Sequence, residues 1–163
     1  MPQQTNNKSM GKEKPKISRI LIALDKSGYK EKIIAYAITL SKSLGASVTA
    51  IHVLDKASLG VIRNMIGYYR GGKAEEYEKA VKKQAEEFLN ESKVLLEKEG
   101  INITTAVVIK SSAAEGIIDY AKDNDVDLIL VGTKGITGAA RFFMGGIANS
   151  VIGHAHCPVL AIR

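Results

Sequence analysis

Apolar and polar positions along this chain follow two alternating patterns. Short unbroken apolar runs, such as residues 18–24 and 126–131, are typical of strands that are covered on both faces of a sheet. Between these runs, apolar residues recur at helical spacing, as they do over residues 33–44. The alternation predicts the order βαβαβαβαβ. We therefore expect an α/β fold, with a doubly wound, mostly parallel sheet of five strands and helices on both faces.

The strands are expected at residues 18–24, 46–54, 101–109, 126–131 and 158–163. Residues 55–73 contain four glycines and are predicted to form a long loop, within which Val61, Ile62, Met65 and Ile66 could form one or two amphipathic turns. Two strand orders remain open from the pattern alone, 2-1-3-4-5 and 3-2-1-4-5, because right-handed crossovers permit both.

Helix ends carry their own signals in this sequence. Gly45 stands where a helix C-cap glycine belongs, and Gly100 follows a long helix expected over residues 74–99. That helix is predicted to bury a stripe formed by Tyr77, Val81, Phe88 and Leu95. Ser112 and Glu115 form the S-x-x-E pattern of a capping box, which predicts a helix start at this point.

Length and charge define one domain and a tail. The chain has 163 residues, which suits a single domain. Residues 1–16 hold four lysines and one glutamate, half of the net charge of +6, and are expected to form a disordered basic tail. The domain is therefore expected over residues 17–163. Its modest remaining charge does not favour nucleic-acid binding, which calls for a more one-sided basic surface.

Composition also bears on location. No apolar run approaches the roughly 18–20 residues of a membrane span, so no membrane association is expected. Cys157 is the only cysteine and cannot form an internal disulfide, which favours a cytoplasmic protein.

The candidate chemistry lies where two predicted strands end. Strand 1 runs into Asp25, and strand 4 runs into a stretch, residues 132–146, that holds five of the fifteen glycines. In the order 3-2-1-4-5 these ends flank the point where the strand order reverses, which is where open α/β sheets bind ligands. Glycine-freed amides at a helix start suit phosphates, and a carboxylate suits a base or ribose. Alternatively, Asp25 caps the helix that starts near Gly28.

Several other functions lack their motifs. The sequence contains neither a Walker-type phosphate loop, nor a G-x-G-x-x-G dinucleotide fingerprint, nor a G-x-S-x-G nucleophile elbow. His154, His156 and Cys157 are too closely spaced for a zinc finger and have no second cluster, so no metal site is expected. His52 lies inside strand 2 and is expected to be packed or hydrogen-bonded.

Four segments of the chain resemble the universal stress protein family. They are ILIALD at 20–25, IHVLD at 51–55, DLILVGTKG at 127–135 and the stretch from 145 to 163. Members of that family that bind ATP share the pattern G-x2-G-x9-G-[ST]. Gly132, Gly135 and Gly145 stand at the three glycine positions. The resemblance implies the strand order 3-2-1-4-5 and a homodimer formed partly through the last strand.

The resemblance also implies a nucleotide site. Asp25 matches the acidic residue near the adenine, and the Val53 main chain matches the position that meets the base. The residues expected along the ribose and phosphates are Val131, Gly132, Gly135, Gly145, Gly146 and Ile147. Arg141 falls where many members have a basic residue. The implied ligand is ATP or another adenine nucleotide, with Mg²⁺ as an accompanying ion.

Two positions depart from the family pattern. Gly146 replaces the final Ser or Thr, so a hydroxyl that would contact the terminal phosphate or its metal is missing. A hydrogen bond to a charged group contributes about 1.5–3 kcal/mol, so the loss is expected to weaken binding roughly 10- to 100-fold. Ala23 and Leu24 stand in place of the usual Pro before the acidic residue. Main-chain contacts at that turn do not depend on the side chain.

Three functions follow from these features. The leading hypothesis is a regulatory homodimer that binds ATP. A slow ATPase is the second, although the sequence offers no general base, paired carboxylates or P-loop lysine near the proposed phosphates. The third is an interaction module without nucleotide, which the change at Gly146 favours.

Overall fold

Five parallel strands form one sheet in the order β3-β2-β1-β4-β5. The computed structural model describes residues 15–61, 64, 74–133 and 145–163. The elements along the chain are β1 (Arg19–Ala23), α1 (Lys30–Leu44), β2 (Ser47–Asp55), α2 (Ala74–Lys98), β3 (Ile103–Lys110), α3 (Ala113–Asp123), β4 (Leu128–Gly132), α4 (Gly146–His154) and β5 (Val159–Ile162). The predicted fold class is confirmed, and of the two open strand orders the structure has 3-2-1-4-5.

Each face of the sheet carries a separate apolar core. Alternate residues of β1 point to opposite faces, so Ile20 and Ile22 pack against α1 and α2, whereas Leu21 packs against α3 and α4. Leu21 lies between Thr49 of β2 and Ile129 of β4 and is fully buried. Burial on both faces explains why the central strands are apolar throughout.

The helix-end signals are confirmed. Gly45 and Gly100 both have positive φ, 66° and 76°, a conformation that disfavours residues with a Cβ. The Ser112 Oγ accepts a hydrogen bond from the Glu115 N–H at 3.2 Å and so caps α3.

Two predictions about local structure are wrong in part. The buried stripe of α2 is formed by Ala85, Leu89, Ser92 and Leu96. Of the predicted stripe, Tyr77, Val81 and Phe88 are half-buried and Phe88 packs against the core. Leu95 is 48% exposed, because its neighbour Leu96 takes the position that faces the core. The region 55–73 is not a loop at its start, since residues 56–61 are helical.

Some predictions fall outside the described residues. These are the tail over residues 1–14, most of residues 62–73, and the positions Gly135 and Arg141. Among the helices that the structure describes, none is long and apolar enough to cross a membrane.

Candidate functional site

A cavity of about 380 Å³ opens at the carboxyl ends of β1, β2 and β4. From β1 the chain moves outward to β2 and β3, and β4 and β5 then lie on the other side of β1. The cavity therefore lies at the point where the strand order reverses. Its lining residues are Ala23, Leu24, Asp25, Ile51, His52, Val53, Ala113, Ile117, Val131, Gly132, Gly145, Gly146, Ile147 and Ala148.

The structure brings the described candidate residues together in this cavity. Lining it are Ala23, Leu24, Asp25, Val53, Val131, Gly132, Gly145, Gly146 and Ile147, all of them named from the sequence. The remaining two candidates, Gly135 and Arg141, belong to the segment that the structure leaves undescribed. Ile51, His52, Ala113, Ile117 and Ala148 line the cavity without having been predicted as site residues.

The N-terminus of α4 forms the rim of the cavity. Gly145 is its N-cap and makes no side-chain capping bond, and no acidic residue lies in the first turn. The Gly145 N–H donates to the Thr133 carbonyl at 2.7 Å, which fixes this helix start beside the end of β4. The first bond within the helix runs from the Asn149 N–H to the Gly145 carbonyl. The N–H groups of residues 146–148 therefore have no acceptor among the described residues, which leaves a concentration of positive partial charge.

Asp25 lies at the turn after β1 and holds that turn in place. Its Oδ1 accepts hydrogen bonds from the Ser27 N–H, at 3.0 Å, and from the Ser27 hydroxyl. The N-cap of α1 is Tyr29, which has no side-chain capping bond, so the alternative role of Asp25 as a helix cap is wrong. Within the described part of the chain, the Asp25 Oδ2 has no protein partner.

The end of β2 presents main-chain groups to the cavity. The Val48 N–H donates to Asn102 beside β3, and the Ser47 N–H donates to Ser18 beside β1, both at 2.9 Å. Because the direction alternates along a strand, the odd-numbered residues of β2 point towards β1. Val53 thus points its N–H and C=O to the side where β1 has already ended. These two groups form an adjacent donor and acceptor in an otherwise apolar part of the cavity.

His52 is hydrogen-bonded, as its position in a strand predicts. Its Nδ1 lies 2.7 Å from the Leu24 carbonyl oxygen. Its ring meets the Phe88 ring edge-on, with centroids 5.4 Å apart. The sequence predicts a packed or hydrogen-bonded role for His52 but does not indicate this partner, which lies 28 residues away.

Gly116 allows α3 to approach β2 at the cavity wall. A Cβ built at Gly116 would lie 2.6 Å from the Val53 Cγ1, closer than real Cβ contacts. The glycine therefore determines how near Ala113 and Ile117 come to Val53. A glycine inside a predicted helix was the available signal for this close contact.

Two other glycines of the cavity differ in their surroundings. A Cβ at Gly132 would meet the Tyr29 Cβ at 3.3 Å, so this position is filled on its α1 side and contributes only main chain to the cavity. A Cβ at Gly146 would have no atom of the described residues within 4 Å. A side chain at position 146 can therefore extend into open space without disturbing the fold.

The histidines and cysteine near the C-terminus have structural surroundings. His154 Nδ1 and His156 Nε2 hydrogen-bond the carbonyls of Ser150 and Val126, at 2.9 and 3.1 Å. Burial, with a smaller contribution from the Asp127 carboxylate, raises the pKa of the Cys157 thiol, which disfavours the reactive thiolate. Among the described residues, no three His, Cys, Asp or Glu side chains lie close enough together to hold a metal ion.

Comparison with known proteins gives the family. The sequence model of the universal stress protein family matches residues 16–163. The chain belongs to the universal stress protein family. A universal stress protein of Methanocaldococcus jannaschii is 32% identical over 145 residues, covering 89% of this chain and 81% of the relative. The universal stress protein YxiE of Bacillus subtilis is 27% identical, covering 90% of this chain and 99% of the relative.

Solved universal stress proteins share the fold. UspA of Lactobacillus plantarum superposes with a TM-score of 0.73 at 22% identity, covering 91% of this chain and 99% of that protein. A universal stress protein of Archaeoglobus fulgidus, in complex with dAMP, gives a TM-score of 0.62 at 23% identity, with coverages of 90% and 98%. A universal stress protein in complex with cAMP gives 0.60 at 15% identity, with coverages of 90% and 96%. At these identities the likeness establishes the fold alone.

Proposed function

We propose that this universal stress protein binds an adenine nucleotide, with ATP as the first candidate, and acts as a regulatory homodimer. The observation that carries the proposal is the uncapped start of α4 at the rim of the cavity. Free amides at a helix N-terminus bind phosphate through hydrogen bonds and through the helix dipole. Universal stress proteins of the same fold occur in complex with dAMP and with cAMP, which supports an adenine ligand.

The opposite end of the cavity suits an adenine base. Ile51, Ile117 and Val131 supply apolar surface for the ring. The Val53 N–H can donate to the adenine N1, and the Val53 carbonyl can accept from the N6 amino group. Asp25 stands beside this region with its Oδ2 available to a ribose hydroxyl or to the base. In this arrangement the base, ribose and phosphates extend from β2 across β1 and β4 to α4.

The phosphate end has room for a triphosphate. A second cleft of about 420 Å³ adjoins the cavity and shares Ala113, Gly146 and Ile147 with it. Asp55, Ser112 and Ser150 line this second cleft and provide oxygen atoms. Such oxygens are the ligands that Mg²⁺ prefers when it accompanies phosphates. We therefore place the terminal phosphates and their Mg²⁺ in the second cleft.

Calorimetric titration tests the nucleotide proposal. Purified protein, freed of any bound nucleotide, is titrated with ATP, ADP, AMP and GTP in the presence and absence of Mg²⁺. The proposal predicts saturable binding of the adenine nucleotides and weaker binding of GTP, whose N1–H and O6 reverse the donor and acceptor of adenine. Absence of heat with every nucleotide at millimolar concentration would favour the interaction module without nucleotide.

The homodimer is proposed to form through β5, the last strand. β5 pairs with β4 on one side, and the described chain contains no partner for its other edge. The N–H groups of Ile129 and Thr133 donate to the carbonyls of Pro158 and Ile162, so the even-numbered residues of β5 point towards β4. Val159 and Ala161 thus point their main-chain groups outward. An edge of this kind is a ready template for a second copy of the chain.

Sedimentation velocity of Ala161→Pro tests the dimer. Proline removes an outward N–H and leaves the ladder to β4 intact, so the variant should fold but sediment as a monomer. If the wild type and Ala161→Pro both sediment as dimers, the dimer contact lies outside the β5 edge.

A further inference from the structure

The hydrogen bonds between β1 and β2 stop one rung early. The ladder starts with the Ser47 N–H donating to Ser18 and ends with the Leu24 N–H donating to Ile51, each at 2.9 Å. In a parallel ladder the next rung would run from the Val53 N–H to the Leu24 carbonyl. Among the described residues that rung is absent, although donor and acceptor are the next groups in the series.

The His52 side chain bonds the carbonyl that would accept the missing rung. Its Nδ1 lies 2.7 Å from the Leu24 carbonyl oxygen. A carbonyl oxygen only accepts, so the Nδ1 carries the hydrogen and donates it. The imidazole thus takes the place of the Val53 N–H as the donor to Leu24.

Contacts with α1 and α2 keep the His52 ring in this orientation. The Phe88 ring packs against it edge-on at 5.4 Å. Lys30 Nζ lies 4.4 Å from the centroid of the same Phe88 ring and forms an ion pair with Glu91 at 2.9 Å. The Lys30 side chain is only 15% exposed, which indicates a well-held contact. The ring is therefore supported from the helix layer on this face of the sheet.

We propose that His52 is a positioning residue that keeps the Val53 main chain open for the ligand. Its hydrogen bond to the Leu24 carbonyl competes with the next rung between β1 and β2, and so favours a free Val53 N–H beside the Val53 C=O. That pair selects a ring edge with an acceptor next to a donor, as in adenine, over the reversed edge of hypoxanthine. The effect of His52 on nucleotide recognition rests on the proposed function. Its role in keeping the Val53 N–H free does not.

The structural part is tested without any ligand, by hydrogen exchange of the Val53 amide. In His52→Phe the aromatic packing against Phe88 is retained and the donor is lost, so the ladder can extend to Val53. We expect exchange of the Val53 amide to slow at least roughly tenfold relative to the wild type. In His52→Asn the side-chain amide can replace Nδ1 as donor, and exchange should remain fast. Equal Val53 exchange in wild type and His52→Phe, with both folded, would overturn the proposal.

The consequence for recognition is tested by titrating ATP and inosine triphosphate. We expect His52→Phe to lower ATP affinity about tenfold, the effect of one hydrogen bond, and to bring the ratio of the two affinities towards one. His52→Asn should restore the ratio. A purely structural defect would weaken both ligands equally and leave the ratio unchanged, which would count against the proposal.

A matched control removes another histidine from a carbonyl bond. His156 donates from its Nε2 to the Val126 carbonyl at 3.1 Å and lies outside the cavity lining. His156→Phe should therefore leave the ATP-to-inosine ratio at its wild-type value. If the wild type binds neither nucleotide, the proposed function fails while the Val53 exchange result still decides the role of His52. If the wild type prefers ATP and His52→Phe keeps that preference, only the role of His52 fails.

Discussion

Three helical segments begin near the candidate site, and each begins differently. The helical residues 56–61 follow Asp55, whose carboxylate accepts the Ser58 N–H at 2.8 Å. α3 is capped by the Ser112 hydroxyl and carries Glu115 in its first turn. α4 begins at Gly145 with neither a capping side chain nor an acidic residue. Two of the starts are completed by the protein itself, and the third is left open towards the cavity.

The three helix starts differ in whether they serve the stability of the fold or the binding of a ligand. The first N–H groups of any helix need acceptors, and a side-chain cap contributes about 0.5–2 kcal/mol to stability. At α4 the chain forgoes that contribution, because its N-cap is Gly145, which has no side chain. An unsatisfied helix start at the mouth of a cavity is what an anionic ligand requires.

The largest effect is expected from placing a carboxylate at the open start. Gly146→Asp supplies α4 with its own anion, which should repel a bound phosphate and weaken ATP binding about 100-fold. The same change should stabilise the fold by about 0.3–1 kcal/mol through the helix dipole. Calorimetry and urea denaturation measure the two effects. Gly153→Asp, at the other end of α4 and also in open space, adds the same charge as a control. Wild-type ATP affinity in Gly146→Asp would contradict phosphate binding at α4.

A hydroxyl at the same position should have the opposite effect. Gly146→Ser completes the family pattern G-x2-G-x9-G-[ST], and its Cβ enters free space. We expect ATP affinity to rise roughly 10- to 100-fold through one hydrogen bond to a charged group. Titration of Gly153→Ser provides the matched comparison. No gain in affinity would show that position 146 does not contact the phosphates.

Removing the cap of α3 should affect stability. Ser112→Ala leaves the Glu115 N–H without its acceptor and should lower the free energy of unfolding by about 1 kcal/mol. The neighbouring Ser111 makes no capping bond to α3, so Ser111→Ala serves as the control and should leave stability close to the wild-type value. Chemical denaturation measures both. Equal stability of the two variants would remove the distinction between a capped and an open helix start.

The smallest effect is expected at the carboxylate cap. Hydrogen bonds from Ser58, its side chain first, hold the pKa of Asp55 below its ordinary value. A lowered pKa contributes stability above the unfolded pKa of about 3.9, and that contribution is lost as pH falls through the folded pKa. Asp55→Asn should therefore be less stable than the wild type at pH 7, with the gap closing below about pH 4. A stability difference between the two proteins that stays constant down to pH 3 would show that the Asp55 charge does not stabilise this helix start.

Local signals predicted the helix ends and most of the elements, whereas most candidate site residues came from the family resemblance. The helix ends at Gly45 and Gly100 and the cap at Ser112 depend on neighbouring residues, so the sequence was sufficient for them. The order of the strands depends on pairing between distant segments, and the residue pattern left it open until the family resemblance was considered. The gathering of Asp25 and Gly146 in one cavity follows from that order.

The features that the sequence did not predict depend on contacts between distant parts of the fold. Leu95 lies on a stripe that is apolar in sequence, yet the helix buries the stripe of Leu89 and Leu96. Nothing in the sequence indicates that His52 bonds the Leu24 carbonyl, because the contact depends on where β1 stops relative to β2. Packing across elements decides such details, and hydrophobic periodicity does not encode them.

We propose that the open start of α4 and the end of β2 hold the two ends of an adenine nucleotide. A ¹H–¹⁵N NMR titration with ATP and Mg²⁺ tests it most directly. The amide signals of Val53, Gly146 and Ile147 are expected to shift most and to saturate together, whereas the Glu115 amide, already bonded to Ser112, should shift little. Largest shifts elsewhere in the chain, or no shifts at millimolar ATP, would contradict it.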